Sequence, residues 1–288
     1  MRPLPGPTWP VRTAVRLTGA ALTRLQRRPV AVEARLVHAL QLTWAVPPGP
    51  ARALLPAGLG LDTHRGTDGR EWALLAATVA EVEALRPRGT PRSAGRPRHV
   101  TVDYRLFATL AVRRGRTVRG MLALAGQSDD PLAVLGANLT SRGGRRRVDA
   151  RVERTPRRLR ISVGSGDGSA DLEVVADLDG TARPGTDALP ERSVFAGPRT
   201  ARRFGPLPRT FLPDPAGVVV VEAAPDLPPP AAVAVAVPRA TFLEHGPLAG
   251  VEHRLSAAFL SVDVDQTWGP GRLHLPTGPD PLETYIGM

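Results

Sequence analysis

Residues 98–125 read RHVTVDYRLFATLAVRRGRTVRGMLALA, and this stretch decides the fold class. Apolar and charged side chains alternate through VDYRL at 102–106, which is the period of two that a β-strand with one buried face requires. The segment RRGR at 113–116 separates this run from a second apolar run. The pattern therefore predicts a β-hairpin.

The strand pattern continues on both sides of this hairpin. Runs rich in Val, Leu and Ala predict further strands at 33–46, 71–83, 158–163, 170–178, 218–221, 231–237 and 260–265. The glycine-rich stretch 164–169 is interpreted as a hairpin turn, and the proline-rich stretches 179–215 and 224–230 as loops. The sequence therefore predicts a mainly β protein.

Two helices are expected beside the strands. Asp130 followed by Pro131 is a typical helix start and predicts a short helix to Leu139. Apolar residues recur at helical spacing through 10–27, with Arg on the other faces. Such a basic amphipathic helix either lies on an anionic membrane or packs on its own protein, and its small apolar face favours packing.

The organisation expected from these patterns is a single domain. Residues 1–30 form an N-terminal basic amphipathic helix and leader, residues 31–270 form one β domain, and residues 271–288 form an irregular tail. No apolar run reaches the length of a membrane span or of a signal peptide, so a cytoplasmic location is expected.

Composition limits the chemistry. All 38 basic residues are Arg, and the sequence contains neither Lys nor Cys. Schiff-base chemistry needs an amine, which a permanently protonated guanidinium cannot replace. Without Cys there is no thiolate nucleophile and no Cys metal site. No cofactor or metal is predicted.

The charge is uneven along the chain. Residues 1–160 hold 29 Arg against 11 acidic residues, whereas residues 161–288 hold 9 Arg against 16. The run 142–160 alone has nine Arg. A basic half can attract nucleic acid or an anionic membrane. With only 4% aromatic residues, we instead interpret the halves as packing together, and nucleic-acid binding is not favoured.

Several motifs, in order, resemble one known family. LVHALQLTWAVPPGPARALLPAGLGLD at 36–62 comes first, followed by DYR at 103–105, RGM at 119–121, DPLAV at 130–134 and NLT at 138–140. Residues 256–268 are similar to the last strand of the proteins of that family. Over about 33–270 the chain resembles acetoacetate decarboxylase-like proteins, and in particular their uncharacterised bacterial relatives.

The resemblance implies a mostly antiparallel, barrel-like sheet around a ligand cavity, often in a homo-oligomer. It also implies a Schiff-base lysine near 141–147, where this chain reads SRGGRRR. An Arg on the first strand holds the substrate carboxylate in the family, and Arg35 lies about two positions away from that place. Schiff-base decarboxylation is therefore excluded while the cavity is retained.

The candidate ligand-binding residues follow from the hairpin. Asp103 and Arg105 share one strand face, which is either solvated or lines a polar cavity, and Arg119 on the next strand can join them to bind a carboxylate. Tyr104 belongs to the same motif. His253 follows Glu252 and is a candidate general base, although an ordinary polar loop is the simpler interpretation.

Three classes of function remain open at this point. The first is a small-molecule binding barrel for a carboxylate or keto-acid-like ligand. The second is a non-covalent acid–base lyase or hydrolase that uses the same cavity, which a His or Glu at the cavity floor would favour. The third is a binder of anionic polymers or membrane surfaces through the Arg-rich half, which a filled barrel with an exposed Arg stripe would favour.

Overall fold

The computed structural model describes residues 21–112, 116–179, 189–224 and 229–275. Its strands in chain order are β1 Val32–Val46, β2 Leu59–Leu61, β3 Thr63–Arg65, β4 Glu71–Pro87, β5 His99–Val112, β6 Arg116–Ser128, β7 Arg145–Arg154, β8 Arg158–Ser165, β9 Leu172–Asp177, β10 Arg209–Asp214, β11 Gly217–Glu222, β12 Ala231–Ala232, β13 Ala234–Ala240, β14 Arg254–Trp268 and β15 Arg272–His274. Besides the helical residues 21–25, the helices are α1 Pro48–Arg52, α2 Pro131–Thr140, α3 Pro198–Arg202 and α4 Thr241–His245, with a short 3-10 turn at Arg92–Ala94.

The predicted mainly β fold with a few short helices is confirmed. The expected hairpin is β5 paired antiparallel with β6, and β8 pairs antiparallel with β9 around the predicted turn. Residues 113–115 at the tip of the first hairpin lie outside the described residues. The path of paired strands runs β12-β14-β1-β4-β5-β6-β7-β8-β9-β13.

The barrel expected from the resemblance is not closed. The sheet is mixed, because β6 pairs in parallel with both β7 and β10. Beyond β10, an isolated bridge between Ala223 and Trp268 is the β-pairing that joins the end of β11 to β14 in the part of the chain that the structure describes. The long strands therefore curve around an interior space without forming a continuous cylinder.

Two predictions about irregular segments were wrong. The stretch 179–215 contains α3 and β10, and the tail contains β15. Both strands are short, and β10 ends beside prolines, so they lack the alternating run that marks a strand. Pairing with β11 stabilises both of them. Of the expected helix at 10–27, residues 21–25 are helical and residues 1–20 lie outside the described residues.

The larger hydrophobic core lies on one face of the long central strands. Leu40, Leu42 and Leu106 pack there with Ile161 of β8 and Leu172 of β9. A second cluster is formed by aromatic residues of β4, β5, β14 and the segment before β10. These are Trp72, Phe107, Phe259, Phe195 and Phe204. Burial thus holds β1, β4 and β5 in register except at irregularities such as the shift between Leu36 and His38, and this register fixes the face on which most of their side chains lie.

His38 is a buried imidazole in the strand β1. It is 1% exposed, and burial, together with the positive charges of Arg154 and Arg98, lowers its pKa to about 4. Glu81 lies 3.3 Å from Nδ1 but makes no hydrogen bond with it, and Glu81 also faces Arg98 at 3.6 Å. The cost of burial therefore outweighs the attraction of this carboxylate.

We predict that His38 makes folding sensitive to mild acid. Because the unfolded chain takes up the proton near pH 6.5 and the folded chain only near pH 4, stability is lost progressively as the pH falls between these values. The free energy of unfolding should fall by about 2 kcal/mol from pH 7.5 to pH 5. Urea denaturation should show most of this slope vanishing in His38→Gln and persisting in His253→Gln. Equal slopes in all three proteins would contradict the assignment.

Candidate anion-binding cavity

A cavity of about 710 Å³ lies over one face of β14, β1, β4 and β5. Because these strands are in register, their side chains form rows that cross the sheet. The first row contains Asp103, Thr78 and Gln41. Helix α2 and residues 206–208 line the same cavity from other sides. The row that contains Asp103 forms a polar end of the cavity, and the rows beyond it form the rest of the cavity wall.

The next two rows explain the empty space and its character. The middle row consists of the small side chains Thr101, Ala80, Ala39 and Ser261. The third row consists of His99, Val82, Leu36 and Val264. Small side chains leave room above the strands, and the aliphatic side chains beyond them give the wall an apolar stretch.

Asp103 on β5 is the centre of the polar end. Its Oδ2 accepts a hydrogen bond from Arg105 Nη2 at 2.9 Å, and its Oδ1 accepts one from Arg145 Nη2 at 2.6 Å. Arg145 Nη1 also donates to the carbonyl of Gln127 at 2.7 Å. Each of the three charged side chains is only 18–23% exposed. The carboxylate is thus shared by two guanidinium groups at the cavity wall.

Arg28 brings a third guanidinium to this end of the cavity. Its backbone has φ of 53°, and it is held by a hydrogen bond to the Thr140 carbonyl and by another from the Gly271 amide. Its side chain lines the cavity and makes no ion pair or hydrogen bond with the residues that the structure describes. A left-handed residue other than Gly is strained, and such strain is concentrated at functional positions.

The charges at this end do not balance. Burial by itself would raise the pKa of Asp103, but the positive charges of Arg145, Arg105 and Arg28 hold that pKa below its usual value. Burial and the charge of Arg145 lower the pKa of Arg28, and Asp103 only partly offsets this. One carboxylate therefore faces three guanidinium groups, which leaves a net positive charge that can receive an anion.

The other arginines that line the cavity already have carboxylate partners. Arg96 binds Asp130, the residue that caps α2, at 2.5 Å. Arg86 binds Glu33 at 2.7 Å. These pairs neutralise their own charges, so the excess positive charge is confined to the group around Asp103.

The sequence placed Asp103 and Arg105 together, and the structure puts both on the cavity wall. Arg119 does not join them. It lies opposite Thr109, which is four residues along β5 from Arg105, and is therefore too far away to share a ligand with Arg105. It instead binds Asp62 at 2.6 Å and donates to the carbonyl of Arg203. The hypothesis of a shared carboxylate site is therefore wrong for Arg119.

The remaining candidates lie away from the cavity. Tyr104 points to the opposite face of β5, where its ring stacks on Phe242 with centroids 3.9 Å apart. His253 is exposed, with Nδ1 3.3 Å from the Val251 carbonyl. Arg35 binds Asp263 at the surface. Strand alternation accounts for Tyr104, since neighbours along a strand face opposite sides.

Sequence reasoning missed Arg28 and Arg145. Arg145 stood among the nine Arg of the run 142–160, which the sequence pattern placed only in the basic half. In the structure its backbone amide donates to Asn138 Oδ1 at 2.6 Å and its carbonyl accepts from Asn138 Nδ2 at 2.9 Å. This double contact with α2 turns the first residue of β7 toward Asp103. The strand alternation of β7 carries no signal of that contact.

No group of three or more potential metal ligands occurs in the described ranges. Within those same ranges, no helix is long and apolar enough to cross a membrane.

The chain belongs to the DUF2071 family, described as an uncharacterised conserved protein, whose sequence profile matches residues 33–194. The matched segment includes Asp103, Arg105 and Arg145 and ends before β10. No curated protein sequence matches the chain.

Solved structures of acetoacetate decarboxylase-like proteins have a similar fold. Acetoacetate decarboxylase from Legionella pneumophila is 10% identical, with 83% of this chain and 86% of that chain covered at a TM-score of 0.52. An acetoacetate decarboxylase-like enzyme from Sphingomonas wittichii is 13% identical, with 87% and 95% covered at 0.51. A further acetoacetate decarboxylase is 9% identical, with 87% and 91% covered at 0.51. At these identities the likeness shows the fold alone.

We predict that Asp103→Asn destabilises the protein. Removing the shared carboxylate leaves three close guanidinium groups without a counter-charge, so the free energy of unfolding should fall by about 2 kcal/mol. Asp263→Asn is the matched control, because its pair with Arg35 is 42% and 59% exposed and should contribute less than about 0.5 kcal/mol. Urea denaturation at low ionic strength compares the two. Equal losses would show that Asp103 has no special role.

Proposed function

We propose that this protein binds a small carboxylate with an apolar body in the cavity, and that it does so without a Schiff base. The carboxylate head lies at Arg28, Arg105 and Arg145, and the body lies along the rows that contain Ala39 and Ala80. The observation that carries this proposal is the guanidinium of Arg28, which lines the cavity beside Asp103 without a carboxylate partner among the described residues.

A carboxylate suits this group for two reasons. Guanidinium groups match a carboxylate in geometry and can donate two parallel hydrogen bonds to it. An anion would also offset the repulsion between Arg28 and Arg145, which contributes to the lowered pKa of Arg28. Binding then relieves an unfavourable arrangement that the empty protein has to maintain.

The cavity walls support an apolar body. The third row and its surroundings present Leu36, Val82, Leu85, Val264 and Trp268 to the cavity. A volume of about 710 Å³ lies within the range of sites that enclose ligands of this kind. The ligand class is therefore an amphipathic carboxylate rather than a small inorganic anion.

The absence of lysine from the sequence is the reason for excluding a Schiff base. Arg145 stands within 141–147, the segment where the resemblance implies the family's lysine. A guanidinium there can hold a carboxylate by hydrogen bonds, but it cannot form an imine with a ketone. Acetoacetate decarboxylases share the fold, and this likeness supports a keto-acid-like ligand in the cavity of the present protein. Their covalent Schiff-base step cannot take place here, because the chain has no lysine.

The other two functions receive different support. An acid–base enzyme in the same cavity remains the second candidate, because His99 is one of the residues that line the cavity. Binding of anionic polymers receives less support, since Arg146, Arg157 and Arg160 of the Arg-rich run pair at the surface with carboxylates of the acidic half. A cytoplasmic location and a homo-oligomer stay predictions.

We predict that decanoate binds and that the three arginines determine its affinity. Arg28→Gln, Arg105→Gln and Arg145→Gln should each weaken binding at least about tenfold, since a hydrogen bond to a charged group contributes ~1.5–3 kcal/mol. Arg119→Gln is the matched control, because Arg119 also pairs with an aspartate but lies away from the cavity. Isothermal titration calorimetry at low salt measures the four variants against the parent protein.

Decanol serves as the neutral comparison and should bind more weakly than decanoate. Equal affinity in all four variants, or no binding of decanoate to the parent protein, would refute the proposed carboxylate site.

A further inference from the structure

Helix α2 is apolar on every side, yet none of its residues is buried. Its sequence PLAVLGANLT at 131–140 contains no charged residue. One side of the helix, which includes Gly136 and Ala137, lines the cavity. The leucines of the helix are 46–58% exposed, namely Leu132, Leu135 and Leu139. A helix without a charged face normally lies inside a protein, so these leucines lack a covering partner among the described residues.

A second group of exposed apolar side chains lies at the C-terminal end of α2. The segment 25–30 crosses this end, where the Arg28 amide donates to the Thr140 carbonyl. The exposed apolar side chains of residues 21–30 are Leu22, Leu25 and Val30. These three side chains and the three leucines of α2 form the leucine surface.

The described end of the basic amphipathic run 10–27 contributes to this surface. Leu22 and Leu25 belong to the apolar side of that run, which was expected to pack on the protein. They are instead 46% and 39% exposed. The alternative for such a run, contact with an anionic membrane, therefore gains support from its described end.

The chain around the leucine surface is basic. Residues 21–30 contain three Arg and residues 131–148 contain four, with no Asp or Glu in either range. Arg24 and Arg142 are exposed and form no ion pair with a described residue. The carboxylates of Asp130 and Asp214 at the margins are already paired, with Arg96 and Arg27 respectively. The charges of Arg24 and Arg142 are therefore available to a partner.

This combination fits an anionic bilayer better than a protein or a nucleic acid. In a bilayer the leucines enter the boundary of the acyl chains while the guanidinium groups stay at the negatively charged headgroups. A two-fold contact between copies of this chain would place the same arginines near one another without a carboxylate between them. Nucleic acid would satisfy the charges but would leave the leucines without an apolar partner.

We propose that the leucine surface binds to an anionic lipid bilayer, with Arg24 and Arg142 at the lipid headgroups. This inference goes beyond the carboxylate site and does not depend on it. Leu132 is exposed and also lines the cavity, so the leucine surface reaches the rim of the cavity. An amphipathic carboxylate dissolves in a bilayer, so the bound protein would take its ligand from the membrane. That last consequence alone rests on the proposed function.

The test is sedimentation of the whole protein with sucrose-loaded vesicles at low salt. Vesicles of phosphatidylcholine with about 30% phosphatidylglycerol should bind the protein at least about tenfold more tightly than vesicles of phosphatidylcholine alone, because arginines near an anionic surface add to the affinity. High salt should weaken this binding, since it screens the headgroup charge. This comparison needs no variant.

The apolar part of the surface is tested by combining Leu135→Gln with Leu139→Gln. The affinity for anionic vesicles should fall about tenfold, because two side chains lose their apolar burial in the bilayer. Both residues are exposed and neither lines the cavity, so the fold and the affinity for decanoate should not change. Val262→Gln is the matched control. Val262 is also exposed, but its neighbour Ser261 lines the cavity, so Val262 lies on the opposite face of the sheet.

The basic part of the surface is tested by Arg142→Gln, which should lower the affinity for anionic vesicles about fivefold. Arg157→Gln is its matched control. Arg157 is likewise an exposed arginine, but it lies beyond the far end of β7, 3.7 Å from Asp179. The control should bind anionic vesicles as the parent protein does.

Two results would overturn the inference. The first is a parent protein that does not sediment with anionic vesicles, which would mean that a second copy or another segment of the chain covers the leucines. Sedimentation velocity then identifies a second copy, if the combined leucine variant dissociates a dimer of the parent protein. The second is equal vesicle binding by the leucine variant and by Val262→Gln, which would place the membrane contact elsewhere. The carboxylate site is tested separately by decanoate and stands or fails independently of both results.

Discussion

Asp103 accepts hydrogen bonds from Arg105 and Arg145 at the wall of a cavity, where a guanidinium without a counter-charge would lose hydration and gain little in return. This shared carboxylate allows three guanidinium groups to stand close together inside the protein. Because a single negative charge faces three positive ones, this end of the cavity keeps a net positive charge. The stability of this end of the cavity depends on the Asp103 carboxylate, and the proposed ligand class depends on the positive charge that remains.

The three guanidinium groups come from distant parts of the chain. Arg105 is fixed by the register of β5 between β4 and β6. Arg145 is turned inward by Asn138 at the end of α2, and Arg28 is held by backbone contacts with Thr140 and Gly271. The end of α2 therefore connects two of the three cationic segments. A change in the position of α2 would alter the charge at the polar end of the cavity.

Much of the fold could be predicted from the sequence, but less of the site. Period-two alternation identified the β5–β6 hairpin and correctly placed Asp103 and Arg105 on one face. The same alternation puts Tyr104 on the other face, so the sequence pattern alone could have excluded Tyr104 from the ligand-binding residues. The sequence could not show that Arg119 lies away from Arg105, because this depends on the register between β5 and β6. In that register Arg119 lies opposite Thr109, four residues from Arg105, and its partner Asp62 is distant in sequence.

Arg28 and Arg145 could not be found in this way. The residue before a proline rarely adopts the left-handed conformation of Arg28, and no local pattern signals it. Arg145 is one of nine arginines between 142 and 160, and what distinguishes it is a set of contacts with Asn138, Asp103 and Gln127 that no local pattern signals. Strands β10 and β15 were missed for a related reason, because partners elsewhere in the chain stabilise them rather than their own alternation.

A crystal structure with 10-bromodecanoate bound, with the bromine located by anomalous scattering, tests the central claim most directly. The account predicts the carboxylate within hydrogen-bond distance of the Arg28 guanidinium and the bromine beside Val82 and Leu36. A carboxylate outside the cavity, or a bromine beside Asp103 with the chain reversed, would contradict it.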